Sequence, residues 1–225
     1  MAKLLHIECS PRKDRSASIE VAQSFISRLL GSHPDLEVTT LDLWQISLPE
    51  FSDEVMDAKY SGLNGLELTA TQVVAWNELK ALANYLHEAD VLVLSVPLWN
   101  FSIPYKLKHF IDVVSQKDVL FSFNPKTGLE GMLRDKKAVV VYARGMDFSA
   151  ASLTPAQHFD FQKPYVEAWL RLIGITDVES IIVEKTVLGS EVDSTSRHEA
   201  KMRANALADA LSVSDINFQP ANSVA

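Results

Sequence analysis

The sequence predicts an α/β fold: a five-stranded parallel sheet with helices on both faces to make three layers. Three observations lead there. Short apolar segments rich in branched residues alternate five times with segments whose apolar residues recur at helical spacing. One of them is apolar without alternation at Val91, Leu92, Val93, Leu94 and Val96, as a strand buried on both faces requires. No linker or internal repeat divides the chain, so residues 1–211 read as one domain. Residues 212–225 lack periodicity and end in small polar residues, and a disordered tail is expected there.

Lys3–Glu8 (KLLHIE) is the first strand. A polar loop runs from Cys9 to Ser18, after which Ala22, Phe25, Ile26 and Leu29 mark the buried face of a helix closed by Gly31 to Asp35. Glu37–Trp44 alternates as the second strand. Residues 46–65, with Pro49, Gly62 and Gly65, form an irregular excursion with room for one short helix. Ala75, Leu79, Leu82, Ala83 and Leu86 share one side of a helix over about residues 70–87. The central strand ends at Pro97, which cannot donate to a ladder. Ser102 offers a cap and Pro104 a first-turn proline, so a helix starts there, with Leu107, Phe110, Ile111 and Val114 on its buried face. Residues 116–135 alternate and then carry Asn124, Pro125, Gly128 and Gly131, the pattern of a short extended pair. Lys137–Ala143 is the fourth strand and runs into Arg144-Gly145-Met146. A helix over about residues 154–173 buries Val166, Trp169, Leu170 and Ile173 and stops at Gly174. Val178–Glu184 is the fifth strand. The last helix, over about residues 195–211, takes its apolar face from Ala200, Ala204, Leu207, Ala208 and Leu211.

With 225 residues, 47% of them hydrophobic and 22% charged, the chain is long enough for one well-packed domain. The balance of 21 basic against 29 acidic residues, net -8, contains no basic block, so nucleic acid is not an expected partner. No apolar run approaches the roughly 20 residues that span a bilayer, and no signal-peptide core opens the chain, so a cytoplasmic protein without membrane insertion is expected. Cys9 is the single cysteine, and the six histidines form no pair at i, i+3 or i+4. No metal site is expected from such spacing.

In the order 2-1-3-4-5 the winding direction reverses between the first and third strands, and a crevice opens at their carboxyl ends. Three loops meet there. The first, Ser10 to Ser18, has no glycine and so neither the dinucleotide fingerprint nor the P-loop. It offers the hydroxyls of Ser10, Ser16 and Ser18, two arginines and a helix N-terminus, which suit a phosphate monoester. The second, Pro97 to Phe101, presents the aromatic faces of Trp99 and Phe101. The third, Ala143 to Met146, sets a glycine beside an arginine. A phosphate carrying a flat aromatic ring describes FMN.

These residues resemble the FMN-dependent NADH-azoreductases, flavodoxin-like quinone and azo-dye reductases, over nearly the whole chain. The motifs are Ser10-Pro-Arg with Ser16-x-Ser18; Pro97-x-x-Asn100-Phe101 followed by Ile103 and Leu107-Lys108; Arg144-Gly145; and Leu172-Ile-Gly174-Ile175. The resemblance implies FMN held by Ser10, Ser16, Ala17, Ser18, Leu98, Trp99, Asn100, Phe101, Ala143, Arg144, Gly145 and Met146. It further implies a homodimer with both flavins at the interface, and ping-pong transfer of two electrons from NADH or NADPH to quinones and azo compounds. Phe101, with Phe123 and Trp169 from the second subunit, is expected to wall the substrate pocket, and no side chain is assigned as acid or base. The chain departs from the family's usual Tyr at Trp99, Ser at Ala143 and Gly at Met146, which bears on substrate choice and on the third loop's contacts.

Two rivals stand beside this reading. Cys9-x5-Arg15-Ser16 has the spacing of a low-molecular-weight phosphatase loop, with a thiolate nucleophile at Cys9 and an arginine at Arg15 for the oxygens. Against it, CSPRKDRS lacks small flexible residues, and no Asp-Pro pair supplies a general acid. The other rival is a non-catalytic FMN electron carrier, to which the long insertions at residues 46–65 and 116–135 would be superfluous.

Overall fold

The computed structural model describes residues 1–50, 52–63 and 67–211; the expected tail over residues 212–225 lies outside them. Its strands are β1 (Lys3–Glu8), β2 (Glu37–Asp42), β3 (Val91–Pro97), β4 (Phe121–Asn124), β5 (Gly128–Gly131), β6 (Lys137–Ala143) and β7 (Asp177–Val183). Its helices are α1 (Ala17–Ser32), α2 (Asp53–Leu63), α3 (Ala70–Glu88), α4 (Tyr105–Val114), α5 (Ala156–Phe159), α6 (Lys163–Ile173) and α7 (Ser190–Ala210). The main sheet is β2-β1-β3-β6-β7, parallel throughout. That is the predicted order 2-1-3-4-5, because β4 and β5 pair separately as an antiparallel hairpin.

Alternation along the strands sorts two cores. Leu4, Val91, Val93, Val139 and Val141 face α1 and α7, where Phe25, Leu29, Ala200 and Ala204 close over them. Leu5, Ile7, Leu92, Leu94, Val140 and Tyr142 face α3, α4 and α6 through Leu79, Leu86, Phe110, Val166 and Leu170. The five aliphatic side chains of β3 are fully buried, each contributing about 2 kcal/mol of transfer free energy, which makes this strand the axis of the domain.

Three helix boundaries differ from the sequence expectation, and the simplest is α7, which begins at Ser190 rather than near Thr195. Ser102 does not cap α4; it exchanges backbone hydrogen bonds with Trp99, both 2.9 Å, and the helix begins after Pro104. The single helix expected over residues 154–173 is two, because the Asp160 carboxylate accepts from the N–H groups of Gln162 and Lys163, both at 3.0 Å, and starts α6 afresh with a proline in its first turn. The stop at Gly174 is as expected, at φ 104°. A Cβ on Gly131 would come within 2.1 Å of the Gly174 backbone nitrogen, so the β4–β5 hairpin is fastened to the carboxyl end of α6 by backbone contact that only glycine permits.

The sheet's polar exception is His6, buried in β1, whose Nε2 lies 2.7 Å from the Ser95 hydroxyl on β3. Burial first, then the charge of Lys13, pushes its pKa down to about 4. The folded state therefore holds the neutral ring, and the unfolded chain takes up the proton first as pH falls below about 6.5. Stability from this group is full above that pH and is lost down to about pH 4, with about 2 kcal/mol going between pH 7 and pH 5. Urea unfolding of wild type and His6→Gln at both pH values checks this: the wild type is expected to lose more by that margin, and equal losses would remove His6 from the account.

Candidate functional site at the carboxyl ends of the central strands

Parallel register brings the three predicted loops to one level. Glu8 pairs with Ser95 and Pro97 with Ala143, and the ladder runs one step past the strands through Cys9 N–H to Ser95 O (3.2 Å) and Leu98 N–H to Ala143 O (2.7 Å). Ser10, Leu98 and Arg144 therefore start their loops side by side at the point where the winding direction reverses.

In the first loop Ser10, Ser16 and Ser18 are all buried. Ser16 sits at the N-cap of α1, but its side chain makes no capping bond; its Oγ lies 3.1 Å from Ser18 Oγ. The N–H groups of Ala17, Ser18 and Ile19, in the first helical turn, precede the first intrahelical bond, Glu20 N–H to Ser16 O. They and the hydroxyls form a cradle with the positive end of a helix dipole behind it. Arg12 and Arg15 are exposed, and Lys13, at φ 49°, is paired with Glu8 and Asp42.

The second loop turns sharply at two non-glycine residues in the left-handed region, Asn100 at φ 46° and Phe101 at φ 69°. Their N–H groups donate to no described residue. The turn is buttressed on both sides. Trp99 lies 5.7 Å from Trp44, whose indole N–H donates to Cys9 O at 3.1 Å. Phe101 lies 5.1 Å from Phe159, and its carbonyl accepts from Phe161 N–H at 2.9 Å. Tyr105 closes the other edge against Trp44 at 5.4 Å.

In the third loop the backbone of Arg144 is engaged, its N–H donating to Val183 O and its carbonyl accepting from Thr186 N–H and Oγ1. Its guanidinium turns inward to Asp160, Gln162 and Glu184, away from the crevice. Ala143 is buried, with its carbonyl taken by Leu98. What this loop leaves free among the described residues is the N–H of Gly145 and of Met146. Val187 packs on Gly145, where an added Cβ would meet its side chain at 3.2 Å.

The expected pocket walls divide. Phe101 is at the crevice and 44% exposed. Trp169 is corrected: it lies in the core of α6, stacked edge-on to Phe110 at 6.4 Å with its indole N–H donating to Ser115 Oγ at 3.0 Å, so it lines no pocket. Phe123 is on the hairpin, which follows α4 and abuts the carboxyl end of α6, at the opposite end of the sheet from the crevice. Trp44, Tyr105, Phe159 and Phe161 were not among the sequence candidates. The signal that could have found the last two is the aromatic run His158-Phe159-Asp160-Phe161 just before Pro164.

The phosphatase alternative is overturned. Cys9 is fully buried on the α4 side of the sheet, facing away from the serine cradle, with its thiol 3.7 Å from Ile7 O. Burial first, then the carboxylates of Glu8 and Asp42, pushes its pKa far above the usual thiol range, which leaves no thiolate to attack phosphorus.

Residues 2–207 match the family described as flavodoxin-like fold, and the chain belongs to that family. Within it the chain belongs with the proteins named FMN-dependent NADH:quinone oxidoreductase. It is 59% identical to such a protein, number 3 of Pseudomonas fluorescens, over 94% of this chain and 98% of the relative, and 42% identical to one from Desulfotalea psychrophila at the same two coverages. Among solved structures it superposes on an azoreductase from Bacillus anthracis with a TM-score of 0.83 at 24% identity, covering 94% of this chain and all of that one. An FMN-dependent NADH-azoreductase of the same species, solved in complex with FMN, gives a TM-score of 0.79 at 24% identity over 92% of this chain and all of that one. These two likenesses bear on the fold.

In the native protein Cys9 is expected to stay unreactive toward an aromatic disulfide reagent and to react only on unfolding, and p-nitrophenyl phosphate is expected not to be hydrolysed. Rapid labelling of the folded protein together with phosphatase turnover would restore the discarded reading.

Proposed function

We propose that this chain is an FMN-dependent oxidoreductase that passes two electrons from NADH or NADPH to quinones and azo compounds in two successive half-reactions, as a cytoplasmic homodimer. The names borne by its relatives support the general reaction. One observation on this chain carries the reading: three turns at one end of the sheet leave backbone N–H groups without partners among the described residues, beside three buried serine hydroxyls. Such a set fits a phosphate at one end and a flat, electron-accepting ring at the other.

The phosphate would be held by the amides of Ala17, Ser18 and Ile19 with the hydroxyls of Ser10, Ser16 and Ser18. The ring would lie against Leu98 to Phe101 and the Gly145–Met146 turn. FMN held there would supply two-electron redox chemistry between a nicotinamide and an acceptor. The protein's part is position and electrostatics. Free N–H groups at Asn100, Phe101, Gly145 and Met146 favour negative charge on whatever lies against them, in the manner of an oxyanion hole. Phe101 and Phe161 offer flat rings and Met146 a flexible thioether to an aromatic substrate, all three being exposed.

A second copy completes the pocket in this reading. Phe123 and its cross-strand partner Leu129 are 53% and 59% exposed at the end of the molecule away from its own crevice, so Phe123 can wall a pocket only in a partner. Light scattering at twice the chain mass is expected, and a fully active monomer would take Phe123 out of the pocket.

The purified protein is expected to be yellow, to release FMN on denaturation and to consume NADH only when a quinone is present; flavin without turnover would make it a carrier. Replacing Ser16 by alanine removes one hydroxyl contact at about 1 kcal/mol, and alanine at Asn100 keeps the N–H but strains a turn at φ 46° by about 1 kcal/mol, together on the order of thirtyfold in FMN affinity. A double variant with undiminished flavin content and activity would refute the site.

A further inference from the structure

The third loop's arginine is the feature that this function leaves unexplained. Arg144 is 3% exposed, and each donor group of its guanidinium is engaged: Nη2 donates to Asp160 at 2.5 Å, Nη1 to Glu184 at 3.1 Å and Nε to Gln162 Oε1 at 3.2 Å. Its face covers the Phe148 ring at 5.0 Å. With two carboxylates against one cation, it has no positive charge left for a phosphate.

The partners lead to the ring turn. Asp160 holds Arg144 with Oδ2 and the first amides of α6 with Oδ1. Gln162 receives Arg144 Nε at its oxygen and donates its Nε2 to Val96 O at 2.8 Å, anchoring the segment to the end of β3. Between these two anchors stands Phe161, whose N–H holds the carbonyl of Phe101. Phe101 and Asn100 are in a left-handed conformation that non-glycine residues adopt reluctantly, so the turn needs outside support.

We infer that Arg144 is a positioning residue for the ring-binding turn rather than a ligand of the phosphate, acting through Asp160, Gln162 and the Phe161 N–H. This rests on FMN being the ligand. Lysine at 144 keeps the charge but loses the three-way fork, so the anchored segment loosens and the Asn100–Phe101 amides lose their fixed aim.

Titration of FMN and of riboflavin, which lacks the phosphate, into wild type, Arg144→Lys and Ser16→Ala separates the roles. Arg144→Lys is expected to weaken both flavins by the same factor, about tenfold, leaving their ratio unchanged, while Ser16→Ala lowers FMN affinity alone. Loss of FMN affinity with riboflavin untouched would make Arg144 a phosphate ligand and overturn the inference, as would no loss of either. Should Arg144→Lys not fold, Phe161→Pro decides: it deletes the N–H, and Phe161→Ala controls for the ring. Proline weaker than alanine by about fivefold for both flavins supports the inference, and equality overturns it. Wild type that binds neither flavin overturns the FMN reading itself, whereas wild-type binding with an indifferent Arg144 overturns only this inference.

Discussion

The site depends on the level at which three parallel strands end. Parallel ladders fix register residue by residue, and a slip by one would turn every side chain to the other face of a sheet buried on both sides. Here β1, β3 and β6 are locked so that Glu8 pairs with Ser95 and Pro97 with Ala143. The aliphatic side chains that hold this register lie far below the crevice, yet they decide which backbone amides surround it. A loop-built site is only as well placed as the strands beneath it, and these are the most deeply buried elements of the chain.

From that level upward, polar groups divide into those satisfied within the protein and those left over. The carbonyls of Ser95, Ala143 and Arg144 and the N–H groups of Cys9, Leu98 and Arg144 are used in joining neighbouring loops. The N–H groups of Asn100, Phe101, Gly145 and Met146 are not, and unpaired donors at a concave surface favour an electron-rich partner. The charged side chains follow a similar division. Lys13 and Arg144 are neutralised by acids of the same chain, so neither of them brings an unpaired positive charge to the crevice.

Much of this was legible in the sequence. Unbroken aliphatic runs and 3.6-residue periodicity gave the strands and the helix faces, because those signals are local and large, whereas the strand order came with the flavodoxin-like resemblance. The Ser-rich first loop and the Trp99–Phe101 turn were legible from what they lack, glycine, and from what they carry, hydroxyls and rings. The turn's conformation was not, since Asn100 and Phe101 take positive φ without the glycine that usually announces it. Nor was the break at residues 160–162, where an aspartate carboxylate rather than a proline or glycine starts the next helix. Arg144 read as a ligand because its partners lie 16, 18 and 40 residues away, and only the folded topology brings them to it. Trp169 read as a wall because an aromatic on an amphipathic helix looks the same in sequence whether it faces a pocket or a core.

The tryptophan at position 99 takes its meaning from Trp44. An indole at 99 reaches the indole of Trp44, which is itself tied by its N–H to the carbonyl of Cys9, the last residue before the serine loop. The ring turn is therefore gripped from two directions, by Trp44 through the side chain of Trp99 and by Phe161 through the carbonyl of Phe101. One grip fixes it relative to the serine cradle and the other relative to the third loop. With both neighbours held, Asn100 between them has little freedom to move its amide, so the cost of ordering the turn is met during folding and not at binding. The same grips narrow the shapes the mouth can accept. Variation in substrate range would then enter through the exposed rim side chains, Met146 among them, rather than through the turn.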